Sequence, residues 1–272
     1  MMDLLTKFWT GSEKAKAAVA RVPDGHCVYA VGDIHGCADL FDAMVDEIEH
    51  DIARRVAKGK TCQVVLLGDL VDRGPDSRRV IAMARQWQAR RDVRILFGNH
   101  EEMFVKSFDD TDVLKHFLRH GGRETLLSYG IGRKQFSKAS IDEVQELMAE
   151  AVPREDRDFL ASFEDMVTIG DYAFVHAGVD PAHPLDKQKT RNLRWIREPF
   201  LSHAKPYEAV VVHGHTISDK VEDAGNRIGI DTGAYSSGRL TALVLQGGKR
   251  GYISAVRGKK GRIAIETVPL SK

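Results

Sequence analysis

The chain has 272 residues, of which 43% are hydrophobic and 29% are charged, a globular balance that excludes disordered and fibrous proteins. Forty Lys and Arg against 39 Asp and Glu leave a net charge of +1, which argues against a dedicated nucleic-acid binder. Three cysteines favour a reducing cytoplasm, no apolar run could span a membrane, and the first twenty residues lack the apolar core of a signal peptide. We therefore expect a cytoplasmic protein without stable nucleic-acid or membrane partners, and composition leaves its oligomeric state open.

Three short apolar runs in the first hundred residues each end in glycine and are typical of buried strands. They begin at Cys27, Val64 and Val93. Helical spacing of apolar residues follows the first run over about 40–56, and a helix is predicted to begin at Pro75 after the second. Alternation of strands and helices predicts parallel strands joined by helical crossovers.

The rest of the chain divides into a helical part and a part rich in strands. Residues of about 102–165 are predicted to form a helical insert. Seven strands are then predicted, with antiparallel hairpins at the glycine-containing turns, at about 166–169, 172–175, 210–212, 228–230, 240–245, 252–256 and 263–268. We expect a single domain over 1–272, with a core of about 26–272 and an N-terminal arm over 1–25, whose Phe8 and Trp9 are candidates to dock on the body or on a partner chain.

Chemically capable side chains gather where predicted strands end. The groups lie next to glycines, which suit tight turns and close backbone approach. They are Asp33, His35, Asp69, Asp72, Arg73, Asn99, His100, Glu101, His176, His213 and His215. In open α/β sheets the carboxyl ends of strands are where ligands bind, and a mixed Asp, Asn and His set suits Mn²⁺, Fe or Zn²⁺ rather than Ca²⁺. One such group alone is usually a turn, but five of them predict a metal site.

The motifs GDIHG, GDLVDRG and GNHE, followed at a distance by HAG and HGHT, carry a family resemblance. In this order they resemble the phosphoprotein-phosphatase branch of the calcineurin-like metallophosphoesterases, particularly its bacterial serine/threonine phosphatase-like members. The motifs run from Gly32 to Thr216, and the helical insert carries none of them. The resemblance implies an α/β fold in which a two-sheet β-sandwich is flanked by helices, a four-layer α/β/β/α arrangement.

The resemblance also implies a centre of two divalent metal ions, with Mn²⁺ expected and Fe or Zn²⁺ as alternatives. Six residues would be its ligands: Asp33, His35, Asp69, Asn99, His176 and His213. The first two would hold one metal, Asp69 would bridge to the second, and the last three would complete the second site. His215 is expected to have a supporting or structural role.

Further residues match the family's catalytic positions. His100 would be the general acid for the leaving oxygen, held by Asp72, and Arg73 would clamp the phosphoryl group. A second phosphate-binding arginine would be Arg197, with Arg194 as the rival.

Two side chains beside these motifs have less direct roles. Tyr235 would lie on the rim of the site. Glu101 is expected to cap the helix that follows it or to support a ligand, because an acid in the first turn of a helix is favoured by the helix dipole.

The predicted chemistry needs no covalent intermediate. Two metals close together lower the pKa of a shared water, and the resulting hydroxide would attack phosphorus in line while the metals and Arg73 neutralise the phosphoryl oxygens. No nucleophilic Cys or Ser is required, so Cys37 is predicted to be a packing residue.

The predicted function is that of a di-metal phosphomonoesterase of the phosphoserine/phosphothreonine protein phosphatase type. The alternative is a symmetrical dinucleoside tetraphosphate hydrolase or another nucleotide phosphohydrolase, a sister group whose motifs usually have the forms GDLVARG and GNHD. The choice between them depends on two positions, Asp72 and Glu101, and the forms GDLVDRG and GNHE found here favour the phosphatase. A regulatory scaffold with a degenerate site would lack at least one ligand, and none is missing.

Overall fold

The structure is a computed structural model that describes residues 19–271. The predicted positions of Phe8 and Trp9 lie outside the described residues. One sheet has six strands: β1 (His26–Val31), β2 (Thr61–Leu66), β3 (Val93–Ile95), β9 (Arg239–Gln246), β10 (Lys249–Arg257) and β11 (Ile263–Ser271). Their order is β11-β10-β9-β1-β2-β3, with β1, β2 and β3 parallel and β9, β10 and β11 antiparallel, as predicted.

A second sheet packs on the first. Its strands are β4 (Met166–Ile169), β5 (Tyr172–Val175), β6 (Val210–His213), β7 (Glu222–Asp223) and β8 (Arg227–Gly229). They lie in the order β4-β5-β6-β8-β7, and β5, β6 and β8 are parallel. The short strand β7 has no apolar pattern, and the sequence did not predict it.

Strand β1 shows why the chain forms a sandwich. Side chains alternate between the two faces of a strand. Tyr29 and Val31 join the core under the helices on one face, whereas Val28 and Ala30 join the core between the two sheets on the other. A separate apolar cluster that includes Phe200 covers the outer face of the second sheet. The predicted four-layer α/β/β/α arrangement is therefore confirmed.

Ten α-helices are described within residues 19–271. They are α1 (Ala38–Val56), α2 (Ser77–Gln88), α3 (Asn99–Lys106), α4 (Thr111–Phe117), α5 (Arg123–Ser128), α6 (Arg133–Phe136), α7 (Ile141–Ala151), α8 (Arg154–Ala161), α9 (Thr190–Trp195) and α10 (Ala234–Ser237). In the described part of the chain no helix combines the length and the apolar character needed to cross a bilayer.

Helices α3–α8 form the predicted insert, and their apolar side chains pack together with Val71 and with Ile81 of α2. They begin three residues earlier than expected, because Asn99 and His100 already lie in the first turn of α3. A turn at Leu118–Gly122, in which Gly121 has a non-helical φ of 110°, joins α4 to α5. That the chain forms one domain with this insert stays a prediction.

Candidate metal centre

A buried cluster of imidazoles and carboxylates lies where loops from both sheets meet. Potential ligand atoms of His35, Asp69 and His100 lie within 4.8 Å of one another, and so do those of Asp69, His176 and His215. All five side chains are buried. Asp69 belongs to both groups, so it occupies the central position predicted for a bridging carboxylate.

The loops that carry the cluster have unusual backbone conformations. Among residues 19–271, six non-glycine residues have positive φ, and five of them are at this site: His35 (45°), Asp69 (49°), Asp72 (74°), Arg73 (65°) and His215 (61°). Each such residue costs about 1–3 kcal/mol and persists only where the surroundings impose it. Here the N–H groups of Ile34 and His35 both donate to the Asp69 carbonyl, at 3.1 and 2.8 Å, which joins the first two loops.

Glu101 holds the loop that carries Asp69 in place. Its carboxylate accepts the backbone N–H groups of Asp69 at 2.8 Å, Leu70 at 2.7 Å and Gly98 at 3.0 Å, and it is fully buried. The last of these bonds closes the cap at the start of α3. The predicted capping role is thus confirmed, and the same side chain also orders the loop that carries Asp69.

Backbone carbonyls set the tautomers of two histidines. His35 Nδ1 lies 2.8 Å from the Val71 carbonyl, and His176 Nδ1 lies 2.8 Å from the Leu67 carbonyl. Because a carbonyl oxygen can only accept, each Nδ1 carries the proton and each Nε2 presents a lone pair to the cluster. Burial lowers the pKa of both imidazoles and keeps them neutral, the form in which histidine binds metals.

Two atoms at the cluster lack a partner among residues 19–271. They are Asp33 Oδ1 and His215 Nε2, and both are buried. The other Asp33 oxygen accepts the backbone N–H of His215 at 3.0 Å. Buried polar atoms are rarely left unpaired, because desolvation without a replacement bond costs about 1–3 kcal/mol. Divalent cations would satisfy both atoms, so the donor set fits the two-metal centre implied by the sequence.

Gly214 allows this close packing. A Cβ atom at Gly214 would lie 2.0 Å from Asp33 Oδ1, so any other residue would displace that carboxylate.

The structure separates His213 from the cluster. Its Nδ1 lies 3.0 Å from the Gly214 carbonyl, its Nε2 lies 3.4 Å from Arg227 Nη1, and its ring meets Phe200 edge-on. The guanidinium would repel a cation at Nε2, and burial together with Arg227 lowers the pKa of His213 to about 4. His213 is the last residue of β6 and faces the second sheet's own core, so its assignment as a ligand is corrected.

His215 takes the place expected for His213. Its Nδ1 lies 2.9 Å from Asn99 Oδ1, and burial lowers its pKa to about 3. A signal for this was present in the sequence. Asp33, Asp69 and Asn99 each directly follow a glycine, and so does His215, whereas His213 precedes one.

Separate alanine substitutions of His213 and His215 test this correction. We expect His215→Ala to lose about one of two metal equivalents per chain, because it removes a donor of the second group, whereas His213→Ala keeps both. Metal analysis of both proteins after dialysis against Mn²⁺ measures the difference. Metal loss in His213→Ala with full loading of His215→Ala would restore the original assignment.

Asp72, His100 and Arg73 form a connected set at the mouth of the cluster. Asp72 Oδ2 lies 2.6 Å from His100 Nδ1. The guanidinium of Arg73 lies 3.0 Å from His100 Nε2 and 2.7 Å from His35 Nε2, and it lies over the ring of Tyr235. The contact with His100 is a hydrogen bond only while His100 is neutral, so Arg73 must move from Nε2 when His100 is protonated. A metal on His35 would use the same lone pair as Arg73, so the two contacts exclude each other.

The charge state of His100 reflects opposing effects. Burial lowers its pKa, but the charge of Asp69 and the hydrogen bond to Asp72 outweigh burial, so the pKa lies above its ordinary value. This favours the cationic form that a general acid needs.

The rival arginines differ in their surroundings. Arg194 donates to Asp165 at 2.7 Å and lies over the ring of Phe97, so it is committed to structure. Arg197 is exposed and makes no ion pair within residues 19–271, and its charge helps to lower the pKa of the cluster imidazoles His176 and His215. Of the two, only Arg197 is free of an ion pair within the described residues, and it stays the predicted second phosphate-binding arginine.

Three other side chains near the site have defined places. Tyr235 lies at the rim with its ring edge-on to His35, as the resemblance implied. Cys37 is a buried free thiol in the core, which confirms its packing role. Asp231 was not predicted; it is buried beside Asp33, and burial raises its pKa to about 6.

The fold and the site together define a metal-dependent phosphoesterase. Residues 28–237 match the family described as calcineurin-like phosphoesterase. The chain belongs to this family and is an enzyme, a metallophosphoesterase, and members of the family bind two divalent metal ions.

Several known proteins are similar to this chain. A bis(5'-nucleosyl)-tetraphosphatase PrpE [asymmetrical] from Oceanobacillus iheyensis is 25% identical over 228 residues, covering 78% of this chain and 86% of that protein. A symmetrical bis(5'-nucleosyl)-tetraphosphatase from Delftia acidovorans is 36% identical, but over only 38% of this chain and 35% of that protein.

Solved structures share the fold. A candidate diadenosine tetraphosphatase has a TM-score of 0.58 at 20% identity, covering 92% of this chain and 99% of that chain. A cold-active protein tyrosine phosphatase has a TM-score of 0.56 at 18% identity, covering 93% and 83%. At these identities the likeness establishes the fold alone, and the fold therefore does not separate nucleotide substrates from phosphoproteins.

Proposed function

We propose that this metallophosphoesterase hydrolyses dinucleoside tetraphosphates, and that it does so asymmetrically. The observation that carries the proposal is the extent of the similarity to the asymmetrical tetraphosphatase, which covers 78% of this chain and therefore more than its metal motifs. Symmetrical relatives match shorter parts of the chain, 38% for the Delftia acidovorans protein and 58% for one from Cellvibrio japonicus. This favours the nucleotide phosphohydrolase, the alternative predicted from the sequence, over the protein phosphatase. It also favours unequal cleavage of the tetraphosphate over the symmetrical cleavage named there.

The two positions that favoured a phosphoprotein phosphatase do not report on the substrate. Asp72 is fully buried and bonds His100, and Glu101 is fully buried and bonds backbone N–H groups. Neither side chain is accessible to a substrate. Their identity therefore reflects how the site is supported.

Cationic side chains around the cluster suit a polyphosphate. Arg73 lies at the mouth, and Arg197 is close enough to act on the imidazoles of the cluster. Arg119 is exposed on the turn Leu118–Gly122, whose Gly121 carbonyl accepts the Arg73 N–H, and it has no ion pair within residues 19–271. A chain of four phosphates offers more anionic oxygens to such groups than a single phosphoester does.

The proposed roles follow from these positions. Asp33, His35, Asp69, Asn99, His176 and His215 would hold the metals, and we keep Asp69 as their shared ligand. Bound metals would supply an activated water and neutralise phosphoryl charge. Arg73 and Arg197 would orient the phosphoryl group, and His100, held by Asp72, would protonate the leaving oxygen.

Product analysis tests the proposal. The chain with Mn²⁺ is given diadenosine tetraphosphate, a phosphoserine peptide or 4-nitrophenyl phosphate, and products are separated by anion exchange. We expect kcat/KM for the tetraphosphate to exceed that for the peptide by about tenfold or more. Unequal cleavage yields one AMP and one ATP, because each adenosine keeps at least one phosphate.

Other product patterns have defined meanings. Two ADP per substrate would keep the substrate class and overturn asymmetrical cleavage. Faster turnover of the phosphopeptide would overturn the nucleotide proposal. The Asp69→Asn protein, prepared in the same way, serves as the control for contaminating hydrolases.

A further inference from the structure

The helical insert reaches the proposed catalytic residues through one buried hydroxyl. Thr125 is 53 residues beyond Asp72 in the chain. It lies in α5, a helix that carries none of the family motifs. Its side chain is fully buried. The proposed mechanism gives it no part so far.

Thr125 holds both the side chain and the backbone of Asp72. Its hydroxyl donates to Asp72 Oδ1 at 2.7 Å and accepts the Asp72 backbone N–H at 2.9 Å. Ser77 Oγ lies 2.9 Å from the Thr125 hydroxyl and 3.0 Å from the same N–H group. The two oxygens of Asp72 are thereby divided: Oδ1 bonds Thr125 and Oδ2 bonds His100.

The backbone next to Thr125 supports the same loop. Asp72 and Arg73 both have positive φ, at 74° and 65°. The Arg73 N–H donates to the Gly121 carbonyl at 3.1 Å. Gly121 itself has a φ of 110°, and a Cβ there would lie 2.7 Å from Arg73 N, so only glycine permits this approach. The insert therefore directly contacts the strained loop that carries Asp72 and Arg73.

We propose that Thr125 is a positioning residue, which fixes the rotation of the Asp72 carboxylate and through it the ring of His100. The proposal rests on the proposed role of His100 as general acid. Without the hydroxyl, Asp72 Oδ1 is buried with no hydrogen-bond donor. Because an unpaired buried acceptor is costly, the carboxylate rotates toward another donor. Because Asp72 Oδ2 is bonded to His100 Nδ1, that rotation tilts the imidazole away from the leaving oxygen.

Substitution of Thr125 gives a result that simple loss of packing would not. Thr125→Val keeps the shape of the side chain and removes the hydroxyl, Thr125→Ser keeps the hydroxyl, and Thr125→Ala is a second hydroxyl-free variant should valine prevent folding. Phenyl phosphate and 4-nitrophenyl phosphate are the probes, because 4-nitrophenolate needs less help from an acid to leave. We expect Thr125→Val to lower kcat about tenfold for phenyl phosphate and less than twofold for 4-nitrophenyl phosphate, with Thr125→Ser near the unsubstituted protein.

A spectroscopic measurement is independent of turnover. The full chain is loaded with diamagnetic Zn²⁺, labelled with ¹⁵N-histidine, and examined for the low-field proton of the Asp72–His100 hydrogen bond. We expect this resonance in the unsubstituted and Thr125→Ser proteins and its loss or movement in Thr125→Val. Ser128→Ala is the matched control, since Ser128 is a hydroxyl of the same helix that bonds the Thr125 carbonyl and not Asp72.

The outcomes separate the proposed positioning role of Thr125 from the proposed acid role of His100. Thr125→Val with an unchanged resonance and an unchanged ratio of the two aryl phosphates overturns the role of Thr125. If His100→Asn shows the leaving-group dependence while Thr125→Val does not, only the inference about Thr125 fails. If His100→Asn itself shows none, both fail.

Discussion

Asp69→Asn is expected to lower kcat/KM on the order of a thousandfold or more and to impair metal loading of both sites. The Asp69 carboxylate lies 3.5 Å from His35 Nε2 through one oxygen and 3.4 Å from His176 Nε2 through the other. Asparagine has the same shape without the charge of the carboxylate, so two adjacent cations would lose their shared anionic ligand.

The measurement combines turnover of 4-nitrophenyl phosphate with metal analysis of the same sample. Asp46→Asn is the matched control, because Asp46 is exposed on α1 and the same change there is expected to alter neither quantity. Near-normal activity with two bound metals in Asp69→Asn would contradict the bridging assignment.

Chelator treatment of the unsubstituted protein is expected to reproduce the loss of activity, with Mn²⁺ as the best restoring ion.

His100→Asn is expected to keep the metals and to slow substrates with poor leaving groups most. The His100 imidazole is bonded to Asp72 at 2.6 Å and faces the mouth of the cluster beside Arg73, the position a proton donor requires. General acid catalysis contributes about 10²–10⁴-fold, so we expect a loss of about a hundredfold for phenyl phosphate and a smaller loss for 4-nitrophenyl phosphate.

The matched control is His50→Asn, an exposed histidine of α1 that lies outside the site. Equal loss on both aryl phosphates would remove the acid role from His100. Loss of metal from His100→Asn would instead indicate that it acts as a ligand, since its ring lies in one of the two groups of potential donors.

Local patterns predicted much of the fold. Strands β1, β2 and β3 were recognisable because each is a short apolar run with a helix or a glycine turn after it, and they pair in parallel as that alternation requires. The hairpins of β9, β10 and β11 followed from their glycine turns. The division of strands between two sheets depends on partners far apart in the chain, and the four-layer arrangement came only from the family resemblance.

The contiguous motifs predicted most of the side chains that the structure brings together. Glycine followed by Asp or Asn marks Asp33, Asp69 and Asn99, and all three reach the cluster. The choice between His213 and His215 could not be made from the motif, because it depends on the fold: His215, with a φ of 61°, lies in the cluster, whereas His213 does not. Thr125 could not be predicted at all, since only folding of the insert brings it to Asp72.

The sequence by itself determined the class of chemistry. Carboxylate, amide and imidazole donors beside glycines at strand ends are enough to indicate a metal centre, because a single ligand group needs only a few consecutive residues. The near-neutral net charge of +1 likewise placed the affinity for anions in the site rather than in the surface as a whole.

Only the tertiary structure decided which side chains lie in the buried cluster and which support it. Burial of Asp72 and Glu101 behind the site removed them as indicators of the substrate. Packing committed Arg194 to Asp165 and left Arg197 exposed. The physical reason is the same in each case: the role of a side chain depends on which atoms fill the space around it, and those atoms come from distant parts of the chain.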